Sequence, residues 1–325
     1  MSRMHLPLSV VTALMGGAAL AEVPRVAVDI APVHSLVARV MEGVGSPYLI
    51  VQSGASPHEY SLRPSEATAL QEADVVFWVS PELTPWLGDA IETLATNASV
   101  SELLEADGTI ELEFREGALF EAHEHGENEH GENGHEEHAD DDEHAEHDAH
   151  EGHDHGGHDP HAWLSPQNAA TWLNVIAGQL SAADPENAGA YFANAAAGQE
   201  EIDALIGEVT AVLEPVRGGQ FIVFHDAYQY FENAFDFPAS GAISISDASD
   251  PSPARISEIQ HRISGEGITC VMSEPQFNRG IVAAVLDGME ADTAVLDPLG
   301  SDLEPGPTLY PQLIRNLAST LAECL

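Results

Sequence analysis

The sequence predicts an α/β protein of two Rossmann-like lobes, each built on a parallel sheet, joined by one long helix. Short runs of β-branched and aromatic residues alternate with segments of helical periodicity, a pattern typical of parallel sheets. These runs form a group of three before residue 80 and a group of four after residue 220. The chain has 325 residues, more than one hydrophobic core usually holds, so two lobes are expected.

The predicted strands follow one another along the two lobes. Ligands of open parallel sheets bind beyond the carboxyl ends of the strands, so residues just after each strand are candidates for a binding site. In the first lobe, residues 22–183, strands are predicted at 25–30, 48–53 and 74–80. In the second lobe, residues 215–325, they are predicted at 221–224, 242–246, 268–273 and 293–297.

Two helices are predicted between the groups of strands. Ser165 is the expected N-cap of the first helix, with Pro166 at its first position. The second helix, the linker, covers residues 184–214, with Asp184 as its N-cap and Pro215 ending it. About 30 residues span roughly 45 Å at 1.5 Å per residue, enough to join two lobes as a rigid strut. Its apolar positions are Ile202, Leu205, Ile206, Val209, Val212 and Leu213.

The first 21 residues have the features of a cleavable signal peptide. Arg3 precedes an apolar run, and the small residues Ala19 and Ala21 come just before the expected cleavage site. No later segment approaches 18 consecutive apolar residues, the length that predicts a membrane span. We therefore expect an exported, soluble periplasmic protein.

The charge of the chain excludes several classes of function. Acidic residues number 54 against 10 basic ones, every base is arginine, and the formal net charge is −44. Without lysine there is neither a Walker A lysine nor a Schiff-base lysine. Such a charge repels a phosphate backbone, so nucleic acid is not an expected partner, whereas cations are attracted. We expect a monomer.

The two cysteines are predicted to form a disulfide. Cys270 lies in an apolar run and Cys324 in the C-terminal helix. In an oxidising compartment two cysteines are expected to pair. A bridge closing a loop of about 55 residues is worth roughly 4 kcal/mol in the chain-entropy model.

A histidine- and acid-rich tract covers residues 121–159. It has almost no large apolar side chain, so it cannot bury a core and is predicted to be a disordered loop on the first lobe. Ordering such a chain costs about 1–2 kcal/mol per residue, so the loop is expected to bind metal only weakly, as an auxiliary to a tight site. Its histidines are His123, His125, His130, His135, His138, His144, His147, His150, His153, His155 and His158.

Four other residues are candidate ligands of one tight metal site. His58 follows the second strand, His161 precedes the helix capped by Ser165, and His225 and Asp297 directly follow strands of the second lobe. Two come from each lobe, which predicts a metal site in the cleft between them. Three imidazoles and one carboxylate form a tetrahedral set that suits zinc better than manganese or magnesium.

An enzyme is the less favoured interpretation. The sequence has neither an H-E-x-x-H zinc-protease motif nor a G-x-S-x-G nucleophile elbow. A catalytic zinc would also need a base beside its bound water, for which Glu59 and Glu274 are the candidates. We predict no enzymatic activity, with a zinc-dependent hydrolase as an alternative.

At these residues the chain resembles the metal-ion solute-binding proteins of bacterial ABC importers, in the zinc-binding branch of the ZnuA type. The resemblance covers the whole chain after the signal peptide and includes the histidine-rich insertion and the two late cysteines. The matching stretches are "GASPHEYSLRPSEATALQEADVVFWVSPE", "HDPHAWLSP", "FIVFHDAYQYF", "CVMSEPQF" and "LDPLG".

This resemblance implies a protein that captures Zn²⁺ and delivers it to a membrane permease. It implies two lobes joined by a rigid helix, with His58, His161 and His225 as imidazole ligands. Manganese-binding relatives carry a carboxylate at the position of His225, which favours zinc for this chain. The fourth ligand is implied to be Asp297, with Glu59 or water as alternatives. The alternative function is a periplasmic zinc buffer or metal chaperone.

Overall fold

The computed structural model describes residues 23–115, 117, 120, 157–244 and 251–325, and within them two parallel four-stranded sheets. This confirms the predicted α/β fold of two lobes. The first sheet has the order β2-β1-β3-β4 and consists of β1 (Val26–Val28), β2 (Tyr48–Leu49), β3 (Val75–Trp78) and β4 (Ser99–Glu102). The second has the order β6-β5-β7-β8 and consists of β5 (Phe221–His225), β6 (Ala242–Ser244), β7 (Cys270–Ser273) and β8 (Asp292–Val295).

Helices cover both faces of each sheet. In the described residues they are α1 (Ala31–Val40), α2 (Pro64–Glu72), α3 (Pro85–Leu94), α4 (Pro166–Ala183), α5 (Ala188–Leu213), α6 (Gln229–Phe235), α7 (Pro253–Glu266), α8 (Arg279–Val285) and α9 (Leu309–Cys324). None of them is long and apolar enough to cross a membrane. The predicted signal peptide lies outside the described residues.

One hydrophobic core runs through both lobes. It combines buried residues of α1, α4, α5 and α9 with the inward-facing side chains of both sheets. Smaller clusters lie on the outer faces, where α2 and α3 cover the first sheet and α7 and α8 cover the second. The lobes are therefore joined by a shared packed core as well as by a linker.

The linker helix is shorter than predicted because it begins later. Helix α5 starts at Ala188 with Asn187 as its N-cap, so the prediction of Asp184 as N-cap was wrong. The Asp184 carboxylate instead accepts hydrogen bonds from Asn187 Nδ2 (2.7 Å) and the Tyr191 hydroxyl (2.9 Å), which holds the turn between α4 and α5. Val212, one of the apolar positions of the predicted helix, is 40% exposed. The cap of α4 is confirmed, since Ser165 Oγ accepts from the Asn168 backbone N–H.

Strand β4 was missed by the sequence prediction. Its residues, Ser99 to Glu102, are mostly polar, and its first two positions are exposed. The strand pairs in parallel with β3 at the edge of the sheet, so only one of its sides is paired. An edge strand with an exposed surface lacks the apolar run on which the prediction depended.

The predicted disulfide is confirmed. Cys270, the first residue of β7, is bonded to Cys324, the last residue of α9, with their Cα atoms 5.9 Å apart. The bridge therefore attaches the C-terminal helix to a central strand of the second sheet.

Candidate metal centre

Three of the predicted ligands come together in the structure. His58 lies in the loop between β2 and α2, His161 lies just before the 3₁₀ turn that precedes α4, and His225 is the last residue of β5. Each offers a ring nitrogen, and these three atoms lie within 4.8 Å of one another. The ring centroids are 5.2 to 6.4 Å apart. The rings therefore surround a common point at which one ion can be bound.

The topology of the second sheet explains the position of His225. In the order β6-β5-β7-β8, the chain first adds β6 on one side of β5 and then adds β7 and β8 on the other side. The connectivity therefore reverses between the parallel strands β5 and β7. Side chains at the carboxyl ends of strands flanking such a reversal face an open crevice. His225 ends β5 and Glu274 directly follows β7, so both lie at this point.

Buried carboxylates orient two of the three imidazoles. The Nδ1 atom of His161 lies 2.7 Å from Asp159 Oδ1, and the Nδ1 atom of His225 lies 2.7 Å from Glu274 Oε1. A carboxylate accepts a hydrogen bond from Nδ1–H, which selects the tautomer whose Nε2 lone pair can bind a metal. The sequence prediction named neither residue for this role, although Asp159 stands two residues before His161 and Glu274 directly follows a predicted strand.

The two carboxyl groups are almost completely removed from water. Burial raises the pKa of Asp159 to about 7 and raises that of Glu274 above its usual value. A cation bound by the imidazoles would favour the ionised carboxylates, because opposite charges nearby stabilise the charged form. Burial therefore disfavours the ionised form of both carboxyl groups, and a cation bound by the imidazoles would offset this unfavourable effect.

Asp297 and Glu59 do not join the three histidines in the described residues. The Asp297 carboxylate accepts hydrogen bonds from Gln276 Nε2 (3.1 Å) and from the backbone N–H groups of Leu299 (3.0 Å) and Ser301 (2.5 Å). Glu59, next to His58, is exposed. The fourth position of the ligand set is thus not provided by either carboxylate in this geometry.

The cleft that contains the histidines is small. Its cavity volume is about 10 Å³, far below the range of about 300–1,000 Å³ that is typical of pockets for small organic molecules. Pro57, Trp163 and Phe277 form apolar walls, and the Trp163 indole N–H donates to the Pro298 carbonyl across the cleft (2.8 Å). Such a cleft suits an ion with its water rather than a larger substrate.

A buried ion cluster ties the base of the histidine-rich insertion to the second lobe. The Arg115 guanidinium contacts the carboxylates of Asp226 and of Glu232, the latter at 2.8 Å. Burial lowers the pKa of Arg115, but the two carboxylates outweigh this effect and leave it above its usual value. Because Asp226 directly follows His225, this contact lies one residue from the predicted ligand.

Of the histidines predicted to form the auxiliary loop, only His158 lies within the described residues. Its Nδ1 atom is 3.3 Å from Glu111 Oε2, and both side chains are partly exposed. His158 also forms an isolated antiparallel bridge with Glu113, which brings the two ends of the insertion together. The prediction for the other ten histidines falls outside the described residues.

We expect loss of either carboxylate to weaken metal binding without removing a ligand. Partners of metal-bound histidines are typically worth about 10–100-fold in affinity, so Asp159→Ala and Glu274→Ala should each raise the Kd for zinc by that amount. A competition titration against a chelator measures the change. Asp184→Ala is the matched control, because this buried carboxylate bonds a tyrosine and an asparagine elsewhere. Equal zinc affinity in all three variants would contradict the orienting role.

Comparison with known proteins identifies close relatives of this chain. Residues 26–324 match the family model described as ZnuA, zinc-uptake complex component A, periplasmic. The high-affinity zinc uptake system protein ZnuA of Brucella abortus (strain 2308) is 51% identical over 314 residues, which is 95% of this chain and 94% of that one. The protein of the same name from Paracoccus denitrificans (strain Pd 1222) is 47% identical over 97% of both chains.

Solved structures share the fold over most of the chain. A crystal structure of ZnuA aligns with a TM-score of 0.72 at 22% identity, covering 93% of this chain and 99% of that one. The AdcAII protein of Streptococcus pneumoniae aligns with a TM-score of 0.70 at 22% identity, covering 94% of this chain and 100% of that one. The two-lobed architecture is therefore one that solved proteins adopt.

Proposed function

The chain belongs to the ZnuA family of periplasmic zinc-uptake components, and on this premise we propose that His58, His161 and His225 capture Zn²⁺ for delivery to an ABC permease. The observation that carries the proposal is the convergence of three imidazole nitrogens within 4.8 Å, two of them on rings held by buried carboxylates. Preoriented imidazoles are suited to zinc, whose usual ligands include histidine nitrogen.

The chemistry of the ligands supports zinc over manganese. Imidazole nitrogen suits zinc, whereas manganese is better matched by carboxylate and water oxygens, and zinc also stands above manganese in the Irving–Williams order. In this proposal the ion is the cargo, released to the permease. The signal peptide at residues 1–21 brings the protein to the periplasm. The first lobe covers residues 22–183, the linker 184–214 and the second lobe 215–325.

The absence of enzymatic activity is part of the proposal. Glu274, one candidate base for a hydrolase, is hydrogen-bonded to His225 and positions that ring. Glu59, the other candidate, is exposed beside the cleft. The small volume of the cleft also argues against an organic substrate.

The first test measures selectivity and transport. The purified protein should bind one zinc ion tightly and prefer zinc to manganese by orders of magnitude, which competition titrations of the two ions can measure. Substituting His225 by glutamate should reduce the difference in affinity between zinc and manganese, because a hard carboxylate oxygen replaces an imidazole nitrogen. Equal affinity of the unaltered protein for both ions would refute zinc selectivity.

Uptake by cells distinguishes import from buffering. Cells that lack the gene should take up less radioactive zinc when zinc is scarce, and the intact gene should restore uptake. The H58A/H161A/H225A variant, matched for expression, is the control that should not restore it. If uptake does not depend on the gene while the purified protein binds zinc tightly, a periplasmic buffer or metal chaperone is the better description.

Deletion of residues 121–157 should separate the auxiliary loop from the tight site. We expect fewer zinc ions bound at neutral pH, one tight site retained, and reduced uptake mainly when zinc is scarce. The weak sites should be lost as pH falls through about 6.5, the ordinary pKa of histidine, because an imidazole must be neutral to bind metal. Calorimetry on the protein that lacks residues 121–157 measures its zinc binding. Loss of the tight site in this variant would show that the loop is part of that site.

A further inference from the structure

Gln276 lines the same cleft as the three histidines and has a fixed orientation. It lies in the loop after β7, two residues beyond Glu274. Its Nε2 atom donates hydrogen bonds to Asp297 Oδ1 (3.1 Å) and Ser301 Oγ (2.9 Å). An ionised carboxylate only accepts hydrogen bonds, so the amide nitrogen must face Asp297 and the amide oxygen must face away from it.

The oxygen of this amide is an acceptor in need of a donor. Oε1 of Gln276 is buried and has no hydrogen-bond partner within the described part of the chain. Leaving a buried acceptor unsatisfied is unfavourable, and such atoms in native proteins usually call for a ligand or water. Asp297 and Ser301 do not line the cleft, whereas Gln276 does. The donor for Gln276 Oε1 is therefore expected within the cleft, on the side where the ion binds.

Two of the three ligand histidines, His161 and His225, are poor candidates for this donor. Nδ1 of His161 and Nδ1 of His225 are engaged by Asp159 and Glu274, and their Nε2 atoms would carry the metal. A water molecule bound to zinc is a strong donor, because the ion withdraws electron density from its O–H bonds. It would also complete the tetrahedral set that three imidazoles begin.

We propose that Gln276 Oε1 accepts a hydrogen bond from a water molecule at the fourth coordination position of zinc, and that Asp297 acts by orienting Gln276. The inference rests on the proposed function, since it concerns the same ion. It assigns Asp297 a positioning role in place of the ligand role expected from the sequence. It also explains why both oxygens of Asp297 accept hydrogen bonds from its own loop and from Gln276.

The test uses Co²⁺ as a spectroscopic substitute for zinc in the full-length protein. Gln276→Leu should lower zinc affinity about fivefold, the change expected for one neutral hydrogen bond, and should shift the visible d–d bands of bound Co²⁺. Azide should bind the cobalt form of this variant more tightly than that of the unaltered protein. The reason is that an anion replacing the water would no longer meet the negative end of the Gln276 carbonyl.

Matched variants separate this role from a general effect on folding. Gln199→Leu is the control, because its amide donates to the Ala170 carbonyl between α4 and α5, away from the cleft. It should leave the cobalt spectrum and azide affinity unchanged. Asp297→Ala should reproduce the spectral shift of Gln276→Leu, because it releases the amide that Asp297 orients. Gln276→Met provides a second side chain of similar length if the leucine variant does not fold.

The outcomes distinguish failure of this inference from failure of the proposed function. An unaltered protein that binds no zinc tightly would refute the proposed function. Tight zinc binding with an unchanged cobalt spectrum and unchanged azide affinity in Gln276→Leu would refute the inference alone. Loss of a cobalt ligand in Glu59→Ala or Asp297→Ala, with Gln276→Leu silent, would show that a carboxylate occupies the fourth position.

Discussion

Replacing His225 by alanine is expected to raise the Kd for zinc by roughly a hundredfold to a thousandfold. Structural zinc sites bind with about 10–16 kcal/mol shared among four ligands, so one ligand is worth about 2.5–4 kcal/mol. His225 is buried, ends β5 and is held by Glu274, so no other described side chain is placed to substitute for it. His161→Ala and His58→Ala should have effects of the same order. Competition against a strong chelator, followed by metal analysis, measures them.

His261→Ala is the matched control for these substitutions. It removes an imidazole from the exposed surface of α7, outside the cluster of three histidines. Its zinc affinity should equal that of the unaltered protein. The assignment of the tight site would fail if any one of the three cluster variants retained full affinity while remaining folded.

Replacing Arg115 by alanine is expected to destabilise the protein by about 3–5 kcal/mol. The substitution would leave two carboxylates without their cation, and removal of one member of a buried ion pair has costs of this size. The side chains of Arg115, Asp226 and Glu232 are 17%, 8% and 7% exposed, so water cannot easily replace the guanidinium. A urea denaturation curve should show a lower midpoint.

Two variants distinguish the effect of the buried charges on stability from the effect of losing any arginine. Arg39→Ala removes a guanidinium from Glu201, whose side chain is 54% exposed, and should cost about 1 kcal/mol or less. The triple variant R115M/D226N/E232Q removes all three charges together and should recover part of the stability lost in Arg115→Ala. If Arg115→Ala and Arg39→Ala unfold at the same urea concentration, the buried cluster is not a strong link between the lobes.

The architecture and the three histidines were predictable because local patterns determine them. A run such as "FIVFH" marks a buried strand whose last residue lies at the carboxyl edge of a sheet, so His225 could be placed without coordinates. Ser165 before Pro166 marked the start of α4 for a similarly local reason. The pairing of Cys270 with Cys324 needed only the number of cysteines and the expected compartment.

The groups that surround the ligands depended on contacts between distant parts of the chain. Glu274 is 49 residues from His225, and Arg115 is 111 residues from Asp226. No periodicity or motif specifies such pairs, because they form only when the sheets and helices pack. The edge strand Ser99–Glu102 was missed for the same reason, since its pairing with β3 replaces the burial that a central strand would show.

Asp297 shows most clearly what the sequence determined and what the tertiary structure decided. Its position directly after the β8 region identified a carboxylate at the edge of the sheet near the metal cleft. Its orientation was decided by three hydrogen-bond donors, Gln276 Nε2 and the backbone N–H groups of Leu299 and Ser301, which satisfy the carboxylate in place of a metal. A sequence pattern can identify which residues lie at an edge. Which atoms a carboxylate faces depends on donors placed by the packed fold, because a partly buried charge binds the donors that lie within its reach.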